Sequence, residues 1–135
     1  IYNTEYTLEQ GAQNGVPEEN INKEREVGER QRQSFTMAVE MGAKVVFATD
    51  AGVYPHGDNG KQFARAVRFG MTPVQAIQSA TLVSAELLGW EDRVGRIAPG
   101  MYADIVAVNG NPLEDISELE NVDFVMKGGM VYKEK

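Results

Sequence analysis

A short apolar run, Val45-Val46-Phe47-Ala48, stops abruptly at Thr49-Asp50-Ala51-Gly52 and leads into a loop, Val53-Tyr54-Pro55-His56-Gly57, that carries the chain's one histidine. Four to eight apolar residues bounded by turn signals read as a strand buried on both faces, the kind found in parallel sheets. Chains built on such strands place their chemistry at the carboxyl ends. Asp50 stands at that end, so the sequence predicts a strand over Lys44–Asp50 and a working carboxylate at its tip. The competing reading is structural: an aspartate there also caps a following turn, with Ala51-Gly52 supplying tight geometry.

The remaining elements alternate before they change texture. Ile1–Tyr6 reads as the end of a strand running into a polar loop around Pro17. Glu24–Met41 reads as a helix closed by Gly42, with Glu26 four residues before Arg30 and the apolar residues Val27, Phe35, Ala38 and Val39 weighted to its second half. Its first half is expected to face solvent. A helix is predicted over Gln62–Phe69. Thr72-Pro73-Val74-Gln75 then combines an N-cap threonine, proline at the first helical position and glutamine at the third. That helix is read as continuous through Ile77, Ala80, Thr81, Ser84, Leu87 and Leu88 to Gly89. Beyond Trp90 come short strands and turns, with Ile105–Val108 as one strand and Val122–Met126 and Met130–Tyr132 as a hairpin around Lys127-Gly128-Gly129. Two units follow, residues 1–89 and 90–135.

Composition limits the partners. The 135 residues, 42% of them hydrophobic, suffice for one domain or parts of two. A net charge of −7 with scattered basic residues argues against nucleic acid and against an anionic membrane surface. No apolar run approaches the ~20 residues of a membrane span. Without cysteine there is no disulfide and no thiolate chemistry, which leaves the compartment open. The chain begins Ile-Tyr-Asn, without methionine, and is read as a piece of something longer.

Taken in order, the motifs resemble the C-terminal third of the amidohydrolase superfamily, in its imidazolonepropionase-like and Xaa-Pro dipeptidase-like branch. The resemblance rests on Phe47-Ala48-Thr49-Asp50-Ala51-Gly52, Pro55-His56-Gly57-Asp58-Asn59, Phe69-Gly70-Met71-Thr72-Pro73, Gln75-Ala76-Ile77 with Ala80-Thr81, Ala85-Glu86-Leu87-Leu88-Gly89, Val94 to Gly100, Ala103-Asp104-Ile105-Val106, Asn111 to Ile116 and Val125 to Gly129. It implies an α/β fold: the C-terminal fragment of a (β/α)8 TIM barrel, about strands seven and eight with their helices, plus part of a small β-sandwich from Trp90 onward. Ile1–Tyr6 would end the seventh strand, and Lys44–Asp50 would be the eighth. That strand would keep only the seventh as neighbour, leaving an open edge for the N-terminal part of the barrel to cover.

The resemblance also implies a chemistry. A divalent metal, expected to be zinc as one or two ions, lowers the pKa of bound water from about 15.7 to roughly 7. Asp50 would be both a metal ligand and the catalytic group that takes the proton from this water and delivers it to the leaving amine. The implied substrate is a small peptide such as an Xaa-Pro dipeptide, or else a cyclic amide as in imidazolonepropionase. His56 is the candidate substrate-binding residue, weighed evenly against a role in ordering its own loop. The family's His-x-His pair, mid-barrel Lys or Glu and two further histidines are absent, so the isolated chain is expected to be inactive. The alternative from another class is a non-catalytic, barrel-derived binding module. A homo-oligomer is compatible with either reading. Asp58-Asn59-Gly60 lacks calcium-loop spacing and reads as a turn. Arg65 and Arg68 read as a solvated face that could meet an anionic group, and Tyr2, Tyr6 and Tyr54 as candidates to line a pocket.

Overall fold

The computed structural model describes residues 1–52 and 54–135; Val53, in the loop after the apolar run, lies outside them. Five helices come first: α1 (Tyr2–Gln10), α2 (Glu18–Glu40), α3 (Lys61–Arg68), α4 (Pro73–Ala80) and α5 (Leu82–Leu88). A three-stranded antiparallel sheet follows, β1 (Ile105–Ala107), β2 (Phe124–Lys127) and β3 (Met130–Glu134), in the order β1-β2-β3. Two 3-10 turns, His56–Asp58 and Ile116–Glu120, complete the regular structure among the described residues.

The core lies where α2, α3 and α4 converge. Ala66, Met71, Ala76 and Ile116 are buried there, with Phe35 and Val39 of α2, Phe63 and Val67 of α3, Ile77 of α4, and Val45 and Leu119 packed around them. α4 begins as its sequence predicts: Thr72 Oγ1 accepts from the Gln75 amide at 3.2 Å, and Gln75 Oε1 accepts from the Thr72 amide at 2.8 Å. Two otherwise orphaned donors are thereby satisfied.

Four expectations are corrected. Ile1–Tyr6 is not a strand end; Tyr2–Gln10 is helical and packs on α2. The approach is close because Gly28 sits in the contact: a Cβ there would lie 2.1 Å from Thr4 Cγ2. The first half of α2 is accordingly not all solvated, since Ile21 and Gly28 are buried. Lys44–Asp50 carries no ladder pairing among the described residues, because no neighbouring strand lies alongside it; Val45–Phe47 are half-buried and Ala48 and Asp50 are exposed. The single helix expected from Pro73 to Leu88 is two, divided at Thr81 (φ −123°, ψ −89°). There Thr81 Oγ1 donates to the Ile77 carbonyl at 2.8 Å and Ser84 Oγ to the Ser79 carbonyl at 2.6 Å, side chains that compete with the helical ladder.

The hairpin forms as expected, with strands displaced by one or two residues. Lys127 pairs with Met130 across Gly128 and Gly129, both at positive φ, the requirement of a two-residue turn matched to strand twist. A bulge at Val125/Met126 interrupts the register. Much apolar surface stays open: Ile97 is 81% exposed, Leu87, Leu88 and Tyr132 are exposed, and an apolar groove of about 540 Å³ separates α4 and α5 from β1.

Gly95 tests this packing. It has φ +95°, and a Cβ would lie 2.8 Å from Ala85 Cβ and 3.0 Å from the Thr81 carbonyl oxygen. Gly100 also has positive φ but faces open space. In urea unfolding, Gly100→Ala should cost about 1–2 kcal/mol from backbone strain alone, and Gly95→Ala clearly more.

Candidate functional site

Asp50 owes its position to ties from neighbouring elements, since its segment carries no ladder among the described residues. The Phe47 amide donates to the Ser79 carbonyl at 3.0 Å, fixing the segment on the end of α4. The Phe47 ring stacks on Phe63 of α3 at 4.4 Å between centroids. Gln62 Nε2 donates to the Ala48 carbonyl at 3.2 Å, and the Tyr54 hydroxyl lies 3.3 Å from both the Thr49 carbonyl and Asn59 Oδ1. Asp50 itself is exposed, and its φ of +50° makes it the one non-glycine residue with positive φ among those described. The left-handed region costs an L-residue roughly 1–2 kcal/mol, and aspartate is among the few that tolerate it. A strained backbone at a carboxylate is the kind of outlier that marks a working residue.

The loop after Asp50 folds back on α1. Tyr54 is 3% exposed and meets Tyr2 and Tyr6 with ring centroids 4.7 and 5.8 Å away. His56 opens the 3-10 turn and is exposed. At the end of this turn Asp58 Oδ2 accepts from the Tyr2 hydroxyl at 3.2 Å and pairs with Lys61 Nζ at 3.0 Å. The Arg65 guanidinium lies 4.8 Å from the Tyr2 ring centroid, a cation–π contact. Arg65 and Arg68 are not a bare solvated face: both pair with Glu5 of α1, at 3.0 and 3.4 Å.

Tyr2 and Tyr6 line a polar cleft of about 340 Å³ with Asp58, Lys61, Arg65 and Glu120, whereas Tyr54 supports the two tyrosines from the side. Sequence reasoning missed Asp58, Lys61 and Gln62. Asp58 was read as part of a turn, Gln62 as the first residue of a helix, and Lys61 was given no role; the Tyr2 partner of Asp58 and Gln62 lies 56 and 60 positions away, and Ala48, the other partner of Gln62, lies in the ladderless segment. No sequence signal marked them, because the burial of Gln62 shows only in the fold.

The described residues do not make a metal site by themselves. Among them no three His, Asp or Glu side chains converge. A catalytic zinc wants about three ligands from the protein, so an ion held at Asp50 would need further ligands from outside this chain.

Burial raises the Tyr2 hydroxyl above its ordinary pKa, and the bond to Asp58 raises Lys61. Both groups hold their protons more tightly folded than unfolded. Their contribution to stability is therefore complete below the unfolded values, about 10 for tyrosine and about 10.4 for lysine, and is lost as pH rises through the raised folded ones. Asp58→Asn removes the shared carboxylate. The urea-midpoint gap between native and variant should be wide at pH 8 and narrow by pH 11.5; a gap that widens with pH would refute this assignment.

The family model for the "Amidohydrolase family" matches residues 2–131. Among curated proteins, the chain is 32% identical over 124 residues to the ochratoxinase of Aspergillus niger, covering 88% of this chain and 25% of that one. It is 35% identical over 82 residues to an imidazolonepropionase of Deinococcus deserti, covering 58% and 20%. Among solved structures, it superposes on a Xaa-Pro dipeptidase with bound methionine in the active site with a TM-score of 0.89 and 45% identity, covering 98% of this chain and 33% of the other. The chain thus spans a quarter to a third of the ochratoxinase and the dipeptidase.

Proposed function

Because this chain belongs to the amidohydrolase family, we propose that it is the C-terminal portion of a metal-dependent hydrolase that cleaves the amide bond of Xaa-Pro or related dipeptides. The observation that carries the reading is the match to the Xaa-Pro dipeptidase over 98% of the chain at 45% identity. The imidazolonepropionase match, which favours a cyclic amide, extends over only 58%. Open apolar faces on α5, around Ile97 and along the groove beside β1 support a chain that packs against further parts of a barrel and sandwich. On this reading residues 1–89 belong to the barrel and 90–135 to the sandwich.

Asp50 is the group assigned to proton transfer. Its exposed carboxylate accepts a proton from the attacking water and returns it to the amine as the amide bond breaks. It is also the ligand this chain contributes to a divalent metal, with zinc the ion proposed. His56, exposed on the following loop, is assigned to the peptide substrate. Neither role requires the helices to move, since α3 and α4 hold the segment before Asp50.

The test is turnover of the full-length parent with zinc, on a panel of Xaa-Pro dipeptides and on a cyclic amide. Asp50→Asn should lower kcat by about 10²–10⁴-fold, the range of general acid–base catalysis, with an unchanged melting temperature. His56→Ala should raise KM more than it lowers kcat. Native turnover in Asp50→Asn, or a preference for the cyclic amide, would overturn the respective part.

A further inference from the structure

We infer that Gln62 is a positioning residue for the Asp50 carboxylate, an inference that rests on the role proposed for Asp50. Gln62 stands in the first turn of α3 and is 8% exposed. A buried primary amide is costly unless its donor and acceptor are both used. Here both are used, in opposite directions. Oε1 accepts from the Tyr2 backbone amide at 2.9 Å, one of the free N–H groups at the start of α1. Nε2 donates to the Ala48 carbonyl at 3.2 Å, two residues before Asp50.

The position matters because Lys44–Asp50 has no ladder to hold it. Three polar ties act on the residues just ahead of Asp50: Ser79 to Phe47, Gln62 to Ala48 and Tyr54 to Thr49. The first is backbone to backbone. The Tyr54 hydroxyl is long at 3.3 Å and divides one proton between Thr49 and Asn59. Gln62 therefore makes the shorter of the two side-chain ties. Behind it, Phe63 stacks on Phe47, so consecutive residues of α3 grip consecutive residues of the segment. Two residues past this grip, after Thr49, stands Asp50 at φ +50°. Such a conformation persists only where the surroundings over-determine it, and Gln62, together with Tyr54 on Thr49, is placed to do so.

The experiment compares Gln62→Met, close in shape but without the amide, with Tyr54→Phe in the full-length enzyme. Gln75→Met, which breaks the α4 cap far from Asp50 in sequence, controls for general destabilisation. Small misplacements of a reacting group are costly, so Gln62→Met should lower kcat by about 10–100-fold with KM within about threefold of native. Amide exchange across residues 46–52 should quicken by about tenfold. Tyr54→Phe should move each readout the same way but less. Native kcat and native exchange in Gln62→Met would overturn the inference, as would an equal kcat loss in Gln75→Met at equal melting temperature. Asp50→Asn runs in parallel. If it is inactive while Gln62→Met is native, only the positioning role fails. If it is active, the role of Asp50 fails and takes the positioning role with it.

Discussion

Among the described residues no strand pairs with residues 44–50, so the Phe47 N–H and the Ala48 and Thr49 carbonyls take partners from elsewhere. This requirement organises the central part of the molecule. A buried N–H or C=O without a partner costs about as much as a lost hydrogen bond, so the segment draws its bonds from α3, from the end of α4 and from the returning loop. α3 faces the segment with Gln62 and Phe63, α4 ends on it through Ser79, and Tyr54 closes the near side. The exposed Asp50 emerges where those ties end.

The same contacts explain why α1 and α3 are joined so closely. Gln62 ties the start of α1 to α3, Glu5 collects Arg65 and Arg68, and the Tyr2 ring lies beneath Arg65 with its hydroxyl on Asp58. Charge in this region is internally paired, so the scattered cations of α3 serve architecture. The C-terminal sheet is attached differently. The 3-10 turn Ile116–Glu120 anchors it against α3, whereas β3 is exposed along its whole length. The bonded segment ahead of Asp50 and the open apolar faces elsewhere support the proposed reading of this chain as part of a larger hydrolase.

Features set by local chemistry were legible in the sequence. The Thr72–Gln75 capping box, the Gly128-Gly129 turn and the Gly89 terminus at φ +65° each depend on residues within a few positions of one another. The family was legible for a similar reason, because its motifs are short and ordered. What escaped depends on distant partners. Ile1–Tyr6 has the aromatic and β-branched residues of a strand, yet it is helical: a helix satisfies its own backbone, and Gly28 leaves room for it on α2. Thr81 is the local exception: it fits the helical spacing, but its backbone leaves the helical region at φ −123°, ψ −89°, with its hydroxyl bonded back to the Ile77 carbonyl. Asp50 was readable as the end of an apolar run. Its supporting glutamine was not, because a polar residue on a helix gives no sign of the segment it will meet.

A crystal structure of the full-length protein grown with zinc tests the central claim most directly. The account predicts an Asp50 carboxylate oxygen at about 2.0–2.2 Å from the ion, a normal zinc–carboxylate distance, with Gln62 still bonded to the Ala48 carbonyl. An ion coordinated entirely by other residues, with the Asp50 carboxylate turned into solvent, would contradict it.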